Sequence, residues 1–235
     1  MTDLHTHILP GVDDGAKTVQ DSLDLLRAQR EQGVDRVVLT PHYYPDREPF
    51  EVFLQRREQA WQQLNAAVRA LPQEERSSMP AMVLGAEVAY VPGLEAMADL
   101  RRLCIGNTRN LLLELPFFAW SAQMIRQLYA FLEKGGVTPI LAHIERYIPC
   151  QPRKLFQEIL DLGLPVQVGT DMLHGMFSPA MKLLKQGRGH LIASDCHDLL
   201  SRRPNLGDAY ELAEKKLGVD RCVEIAELTA QLTEE

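Results

Sequence analysis

Five of the seven histidines in this 235-residue chain stand at the ends of short apolar runs, and carboxylates stand at the ends of others. DLHTHI carries His5 and His7, RVVLTPH ends in His42, MVLGAEV carries Glu87 and NLLLELP carries Glu114. TPILAHIE carries His143, and HLIASDCH carries Asp195 and His197. His-x-His in a strand puts both imidazoles on one face, because side chains alternate with period two; Asp195-x-His197 repeats that spacing with a carboxylate. Taken singly, each residue passes as a solvated loop carboxylate or a hydrogen-bonded structural imidazole. Taken together they form a nitrogen and oxygen donor set without thiolate, which suits Mn²⁺, Fe or Zn²⁺. Eight such donors exceed what one ion needs, so two or three ions with a shared carboxylate are expected. Clusters of this kind make hydroxide available near neutral pH and clamp phosphate oxygens, so the expected chemistry is hydrolysis, above all of a phosphoester. His174 and His190 fall outside the pattern and read as structural or surface residues.

The elements that would gather these residues are also legible. The runs above, with LPVQVGT as the sixth of seven, read as buried parallel strands: most are continuous β-branched and Leu stretches. Between them lie helical patterns. Lys17 to Gln32 places Val19, Leu23 and Leu26 on one face, with Thr18 and Asp21 as its N-terminal cap and Gly33 as its stop. Glu51 to Leu71 is a long polar-rich helix, SSMP a turn, and 93–102, 120–134, 153–162 and 177–186 are further helices. Leu206 to Glu235 reads as two more. Seven strands with helical crossovers give a parallel α/β fold. A (β/α) barrel slightly short of eight units is the preferred closure, with an open doubly wound sheet as the alternative. In a barrel all strand C-termini open onto one face, where scattered ligands would converge.

Composition narrows the classes further. Hydrophobic residues make up 46% and charged residues 24%, ordinary for a globular chain, and residues 1–235 read as one domain. The formal charge of −7, with no basic block, argues against nucleic-acid binding. No run reaches the roughly 18–20 apolar residues of a membrane span, and MTDLHTHILP lacks the basic start of a secretory signal. The four cysteines show no CxxC spacing, so a reduced, cytoplasmic setting is expected.

Six segments together resemble the PHP (polymerase and histidinol phosphatase) superfamily: DLHTHILPGVDDG, TPHYYP, GAEVAY, LLLELPF, AHIERY and ASDCH. Within it they are most similar to the bacterial manganese-dependent protein-tyrosine phosphatases of capsule and exopolysaccharide clusters. The resemblance implies a distorted (β/α)7 barrel with three metals and adds Asp14 as a ligand. It assigns His5, His7, Glu87 and Asp195 to one ion, Glu87, Glu114 and His143 to a second, and Asp14, His42 and His197 to a third. It also implies two catalytic arginines, Arg146 and Arg202, whose planar forks suit phosphate, with Arg203 a near competitor for the second role. The implied substrate is phosphotyrosine on a membrane-bound tyrosine kinase. The sequence departs from the family at QVGTDMLHG (167–175) and lacks a C-terminal Asn-Pro turn.

Several rivals stand beside this reading. Cys196 through Arg202 fits Cys-x5-Arg, the signature of thiol-based tyrosine phosphatases, but the loop has no glycine for a tight nest of N–H groups. A histidinol-phosphatase-like enzyme of small phosphomonoesters shares the metals. A deaminase or amidase on a metal barrel lacks a lysine at a strand end. A metal-stabilised binding module without turnover, and a metal-free sugar-binding barrel, complete the alternatives.

Overall fold

The structure is a computed structural model and describes residues 1–117, 120–134, 136–175 and 177–234. The seven apolar runs become nine parallel strands: β1 Thr2–Thr6, β2 Arg36–Leu39, β3 His42–Tyr43, β4 Ala81–Leu84, β5 Glu87–Ala89, β6 Asn110–Glu114, β7 Thr138–Leu141, β8 Gln167–Gly169 and β9 Leu191–Ala193. Two runs split. RVVLTPH parts at Thr40-Pro41, where proline has no N–H to give the ladder. MVLGAEV parts at Gly85-Ala86, where the missing side chain lets the backbone lie close to Val38 and Thr40. Strands pair in the orders β1-β2-β4, β3-β5-β6-β7 and β8-β9, all parallel. Single bridges join Leu141 to Val166 and Thr6 to Cys196.

Among the described residues eight α-helices cross between or follow the strands: α1 Val19–Glu31, α2 Phe50–Ala70, α3 Gln73–Ser78, α4 Ala122–Lys134, α5 Arg153–Leu160, α6 Pro179–Lys185, α7 Leu206–Leu217 and α8 Val219–Thr233. Thr18 caps α1 as its sequence implies. Its hydroxyl accepts from the Asp21 N–H, and the Asp21 carboxylate accepts from the Thr18 N–H at 2.9 Å. Gly33 follows with φ +75°. Two expectations change. The SSMP turn is partly helical, because Ser77 and Ser78 end α3. The helix expected over 93–102 is two 3₁₀ turns, Leu94–Ala96 and Leu100–Leu103, separated by Asp99 at φ 59°. The last residue of the expected tail helix, Glu235, lies outside the described residues. Among the described residues no helix is long and apolar enough to cross a membrane.

A large apolar core fills the space between strands and helices. A smaller cluster gathers Leu4, Val38, Ile105, Leu112, Ile140, Ala142, Leu191 and Ala193, with Leu228 and Leu232 of α8 packed against it. Each fully buried leucine stabilises by about 1.5–3 kcal/mol. This small cluster is what carries the polar residues. Leu112 precedes Glu114 by two residues within β6, so that strand face runs from apolar to ligand-bearing toward its C-terminal end, whereas Asp195 lies two residues beyond β9 on backbone with φ 53°. β1 reaches the same result through a bulge. Its register against β2 slips between Asp3 and Thr6, so Leu4 joins the apolar cluster while His5 still points at the polar one.

The loop after β1 folds back on the strand. The Ala16 N–H donates to the His7 carbonyl at 3.0 Å, and the Gly11 N–H to the Ala16 carbonyl at 2.8 Å. Gly15 is the point of contact: a Cβ there would lie 2.0 Å from the His7 carbonyl oxygen. Gly15→Ala is expected to cost about 1–3 kcal/mol, as overpacking does. Urea unfolding at matched conditions checks this, and unchanged stability would remove the close approach as a constraint.

Candidate metal centre

The strand ends and their loops bring all nine expected ligands and both expected arginines to one place. Glu87 sits at the middle, 1% exposed. Its Oε2 lies 3.2 Å from His5 Nε2, 3.4 Å from His7 Nε2 and 2.9 Å from His42 Nδ1; its Oε1 lies 2.8 Å from His143 Nε2. Asp195 faces it across the histidine pair, with Oδ1 at 3.3 Å from His5 Nε2 and 3.2 Å from His7 Nε2. Glu114 is more remote, 3.8 Å from His143 Nε2. Asp14 reaches in from the β1 loop, 3.3 Å from His197 Nε2 and 3.6 Å from His42 Nε2. Donor atoms of three sets approach one another within 4.8 Å: His7, Asp14, His42 and His197; His5, His7 and Glu87; and His42, Glu87 and Glu114. The first two sets follow the expected division in part: His7 joins the Asp14 set, and Asp195 is absent from the set of His5, His7 and Glu87. The third differs in placing His42, rather than His143, with Glu87 and Glu114.

Several neighbours fix which ring nitrogen is free. The Gln167 side-chain oxygen takes His5 Nδ1 at 3.3 Å and the His143 backbone N–H at 2.8 Å. Asp13 takes His7 Nδ1 at 2.7 Å, the His42 N–H at 3.0 Å and the Gly15 N–H at 2.9 Å. The Asp195 carbonyl takes His197 Nδ1 at 2.9 Å. An imidazole that donates through Nδ1 presents a lone pair at Nε2, the arrangement of histidine metal ligands. The Nε2 atoms of His5 and His7 therefore face each other at 3.1 Å with two carboxylates alongside. Glu87 Oε2, Asp195 Oδ1, His42 Nδ1 and His197 Nε2 are buried without a hydrogen bond of good geometry. Buried electron-rich atoms turned toward one another fit a divalent cation between them.

Asp13 and Gln167 are functional positions that the sequence reading missed. Asp13 is one of a pair of aspartates in a loop, and only its reach across to His7 and His42 separates it from Asp14. Gln167 left a signal: a lone amide in an otherwise apolar strand.

The arginines converge on the other oxygen of Asp195. Arg146 Nη2 lies 2.7 Å and Arg202 Nη2 2.6 Å from Asp195 Oδ2. Arg203 turns away and lies 4.0 Å from Asp208, so Arg202 occupies the site. His190 accepts the Val166 N–H and is structural, as its position implied. The thiol reading fails on geometry. Cys196 is fully buried, burial and the Asp3 carboxylate push its thiol up to about 12, and Arg202 serves Asp195 instead. All four cysteines are free thiols.

Burial opposes charge throughout the cluster. The His5 and His42 imidazoles outweigh it at Glu87, and His5 with His7 outweighs it at Asp195; both carboxyls lie well below the usual range. At His7 burial acts downward, but Asp13 outweighs it and holds the imidazole well above its ordinary value. Burial and then His7 hold His197 down to about 4. At Glu114 burial, reinforced by the Glu87 carboxylate, raises the carboxyl to about 7. Glu114 therefore binds its proton more tightly folded than unfolded. Stability is lost as pH climbs from the ordinary carboxyl range through about 7. In chelator-treated protein Glu114→Gln is expected to be more stable than the parent at pH 8 by about 1–3 kcal/mol, and equal to it at pH 4. Denaturant midpoints at the two pH values test this, and no gain at pH 8 would contradict it.

Comparison with known proteins places this geometry in a lineage. The family model described as capsular polysaccharide synthesis, CpsB/CapC, matches residues 1–231. The tyrosine-protein phosphatase YwqE of Bacillus subtilis is 30% identical over 246 aligned positions, covering 100% of this chain and 89% of that protein. The tyrosine-protein phosphatase CpsB of Streptococcus pneumoniae is 30% identical over 243 positions, covering 96% and 94%. The crystal structures of YwqE and CpsB, described as unique metal-dependent tyrosine phosphatases, match at TM-score 0.82 and 26% identity over 99% of this chain and 94% of that one. An organophosphorus hydrolase mutant from Deinococcus radiodurans shares the fold alone, at TM-score 0.55 and 14% identity. With the parallel α/β architecture and the gathered histidines and carboxylates, these matches establish that the chain belongs to the CpsB/CapC family of capsular polysaccharide synthesis.

Proposed function

We propose that this chain is a metal-dependent protein-tyrosine phosphatase acting on a phosphotyrosine protein of capsule or exopolysaccharide synthesis. The observation that carries the reading is the convergence of nine metal-type donors with two arginine forks on the shared Asp195. The names of the relatives supply the substrate. The proposed partner is a membrane-bound tyrosine kinase and the proposed setting the cytoplasm, which the free thiols support. We read residues 1–235 as one domain, a distorted (β/α)7 barrel. Its support is the pairing order, the bridges Leu141 to Val166 and Thr6 to Cys196, and the Asp195 N–H donating to the His5 carbonyl.

The donor chemistry favours Mn²⁺, with Fe and Zn²⁺ as the competing loads. His5, His7, Glu87 and Asp195 would hold one ion, Glu87, Glu114 and His143 a second, and Asp14, His42 and His197 a third. Bound there, the ions would activate water as the nucleophile and polarise the phosphoryl oxygens. The chain itself does the rest. Arg146 and Arg202 are half-buried, and each keeps N–H groups beyond the one given to Asp195, so a phosphate can be held by both forks. Asp195 spaces the two guanidinium groups and neutralises them until substrate arrives. Gln167 and Asp13 keep the imidazoles turned with Nε2 inward. Beside Asp14 and His42 lies a cavity of about 260 Å³, walled by Tyr44 and Arg47, where the Tyr44 ring stacks on His42 at 5.3 Å. That opening offers an aryl phosphate an approach from the solvent side.

The test compares a phosphotyrosine peptide, a phosphoserine peptide and histidinol phosphate after chelation and reloading with Mn²⁺. Preference for phosphotyrosine, lost with chelator, is expected; preference for the small aliphatic phosphate would move the function to metabolism. His143→Ala and Asp195→Ala should each lose most turnover and bound metal, whereas Cys196→Ser keeps both. Asp13→Asn should weaken metal affinity by about 10- to 100-fold through the His7 ring, read by metal titration. Because His7 carries a proton above its ordinary range in the metal-free state, metal uptake should release protons at neutral pH and strengthen as pH rises. An indicator dye in weak buffer reads this directly.

A further inference from the structure

The segment that departs from the family pattern borders a second concavity. A groove of about 830 Å³ lies between the chain after β8, the C-terminal part of α6 and one face of α7. Its floor is apolar, with Leu173 and Met181 buried, and Phe177 stands at its edge 91% exposed. Lys182, Lys185 and Lys216 line it, and among the described residues no acidic one does. That is a local inversion in a chain with 32 acidic and 25 basic residues. Among the described residues none of the three lysines is in an ion pair. Lysines in the last turns of α6 and α7 complement the helix dipoles, which accounts for their places along each helix. It does not account for their meeting from two helices over an apolar floor beside an exposed phenylalanine.

The groove is also tied to the rim of the metal centre. Its wall begins at Leu173, the last residue of the 3₁₀ turn Thr170–Leu173 that follows β8. The Thr170 hydroxyl donates to the Asn205 side-chain oxygen at 2.6 Å, and the Asn205 amide donates to Asp171 at 3.1 Å. Asn205 follows Arg202 by three residues, so one short stretch ties the arginine proposed to hold phosphate to the turn that leads into Leu173 of the groove.

We propose that this groove docks an acidic segment of the substrate protein, one that also carries an aromatic or aliphatic side chain and flanks the phosphotyrosine. The lysines face the carboxylates and Leu173, Met181 and Phe177 take the apolar side chain, a pairing of charge complementarity with a buried anchor. The proposal rests on the phosphoprotein reading above, and its test separates the two.

Three fluorescent phosphotyrosine peptides are compared on Mn²⁺-loaded protein. One has a five-residue Asp/Glu extension containing Phe on the amino side, one has it on the carboxyl side, and one has Gly/Ser extensions. Their dephosphorylated forms are titrated by anisotropy, and a small aryl phosphate reports the catalytic centre alone. One acidic peptide is expected to bind more tightly and show a KM lower by about five- to tenfold than the Gly/Ser peptide, an advantage that fades with salt. Lys182→Gln/Lys185→Gln/Lys216→Gln should abolish that advantage and leave aryl phosphate turnover unchanged. Phe177→Ser should reduce it without altering its salt dependence. Equal KM and anisotropy for all three peptides, or an advantage that survives the triple variant, overturns the proposal. So does binding of the groove to phosphatidylglycerol vesicles with no peptide preference. Failure of aryl phosphate turnover sinks the phosphatase reading instead, while the anisotropy titration still decides the groove.

Discussion

Two carboxylates buried among imidazoles set the terms for the rest of this molecule. Glu87 and Asp195 are each 1% exposed, and burial alone would drive their protons on. They stay ionised because His5, His7, His42 and His143 crowd around them and because two guanidinium groups share Asp195 Oδ2. The strands, the back-folded loop of Gly15 and the positioning groups Asp13 and Gln167 all serve to hold that arrangement against its own electrostatic cost. A site built this way is stable with its counter-charges and strained without them. Loss of one partner therefore leaves a buried, uncompensated charge rather than a small gap.

The fold supplies the means through simple alternation. Parallel strands share one direction, so their C-terminal ends lie at one end of the sheet, and each face that is apolar lower down becomes polar there. Leu112 and Glu114 are successive positions on one face of β6. The large core and the small cluster can then both remain hydrophobic while the C-terminal ends of the strands are charged. The bulge in β1 is the one adjustment needed, because His5 and His7 follow an apolar Leu4 that faces the small cluster.

What could be seen in the sequence followed from period and residue type. The seven strand runs, the α1 capping box and eight of the nine donors each leave a local mark: an apolar run, a Thr-x-x-Asp, a His-x-His; Asp14 and the two arginines are legible only through the resemblance of whole segments to a family. What could not be seen depends on contacts distant in sequence. Asp13 looks like Asp14 until the loop folds back and one turns to His7 while the other faces His197. Gln167 acts on His143 and His5, 24 and 162 residues away. The strand breaks at Pro41 and Gly85 and the 3₁₀ turns around Asp99 are set by single backbone conformations, which apolar periodicity does not report. The choice of Arg202 over Arg203 was a matter of loop phase, decided once Asp198 accepts the N–H groups of Leu200 and Ser201.

Two of the proposed ligands sit on backbone that their residue types disfavour. His143 has φ 30° and Asp195 φ 53°, in the left-handed region that suits glycine. Each such position costs on the order of 1–3 kcal/mol. The backbone conformation alone favours glycine at both, while the guanidinium groups on Asp195 and the Glu87 contact of His143 oppose that change. Backbone strain and side-chain chemistry therefore pull in opposite directions at these two residues, and the charge contacts hold the strain in place.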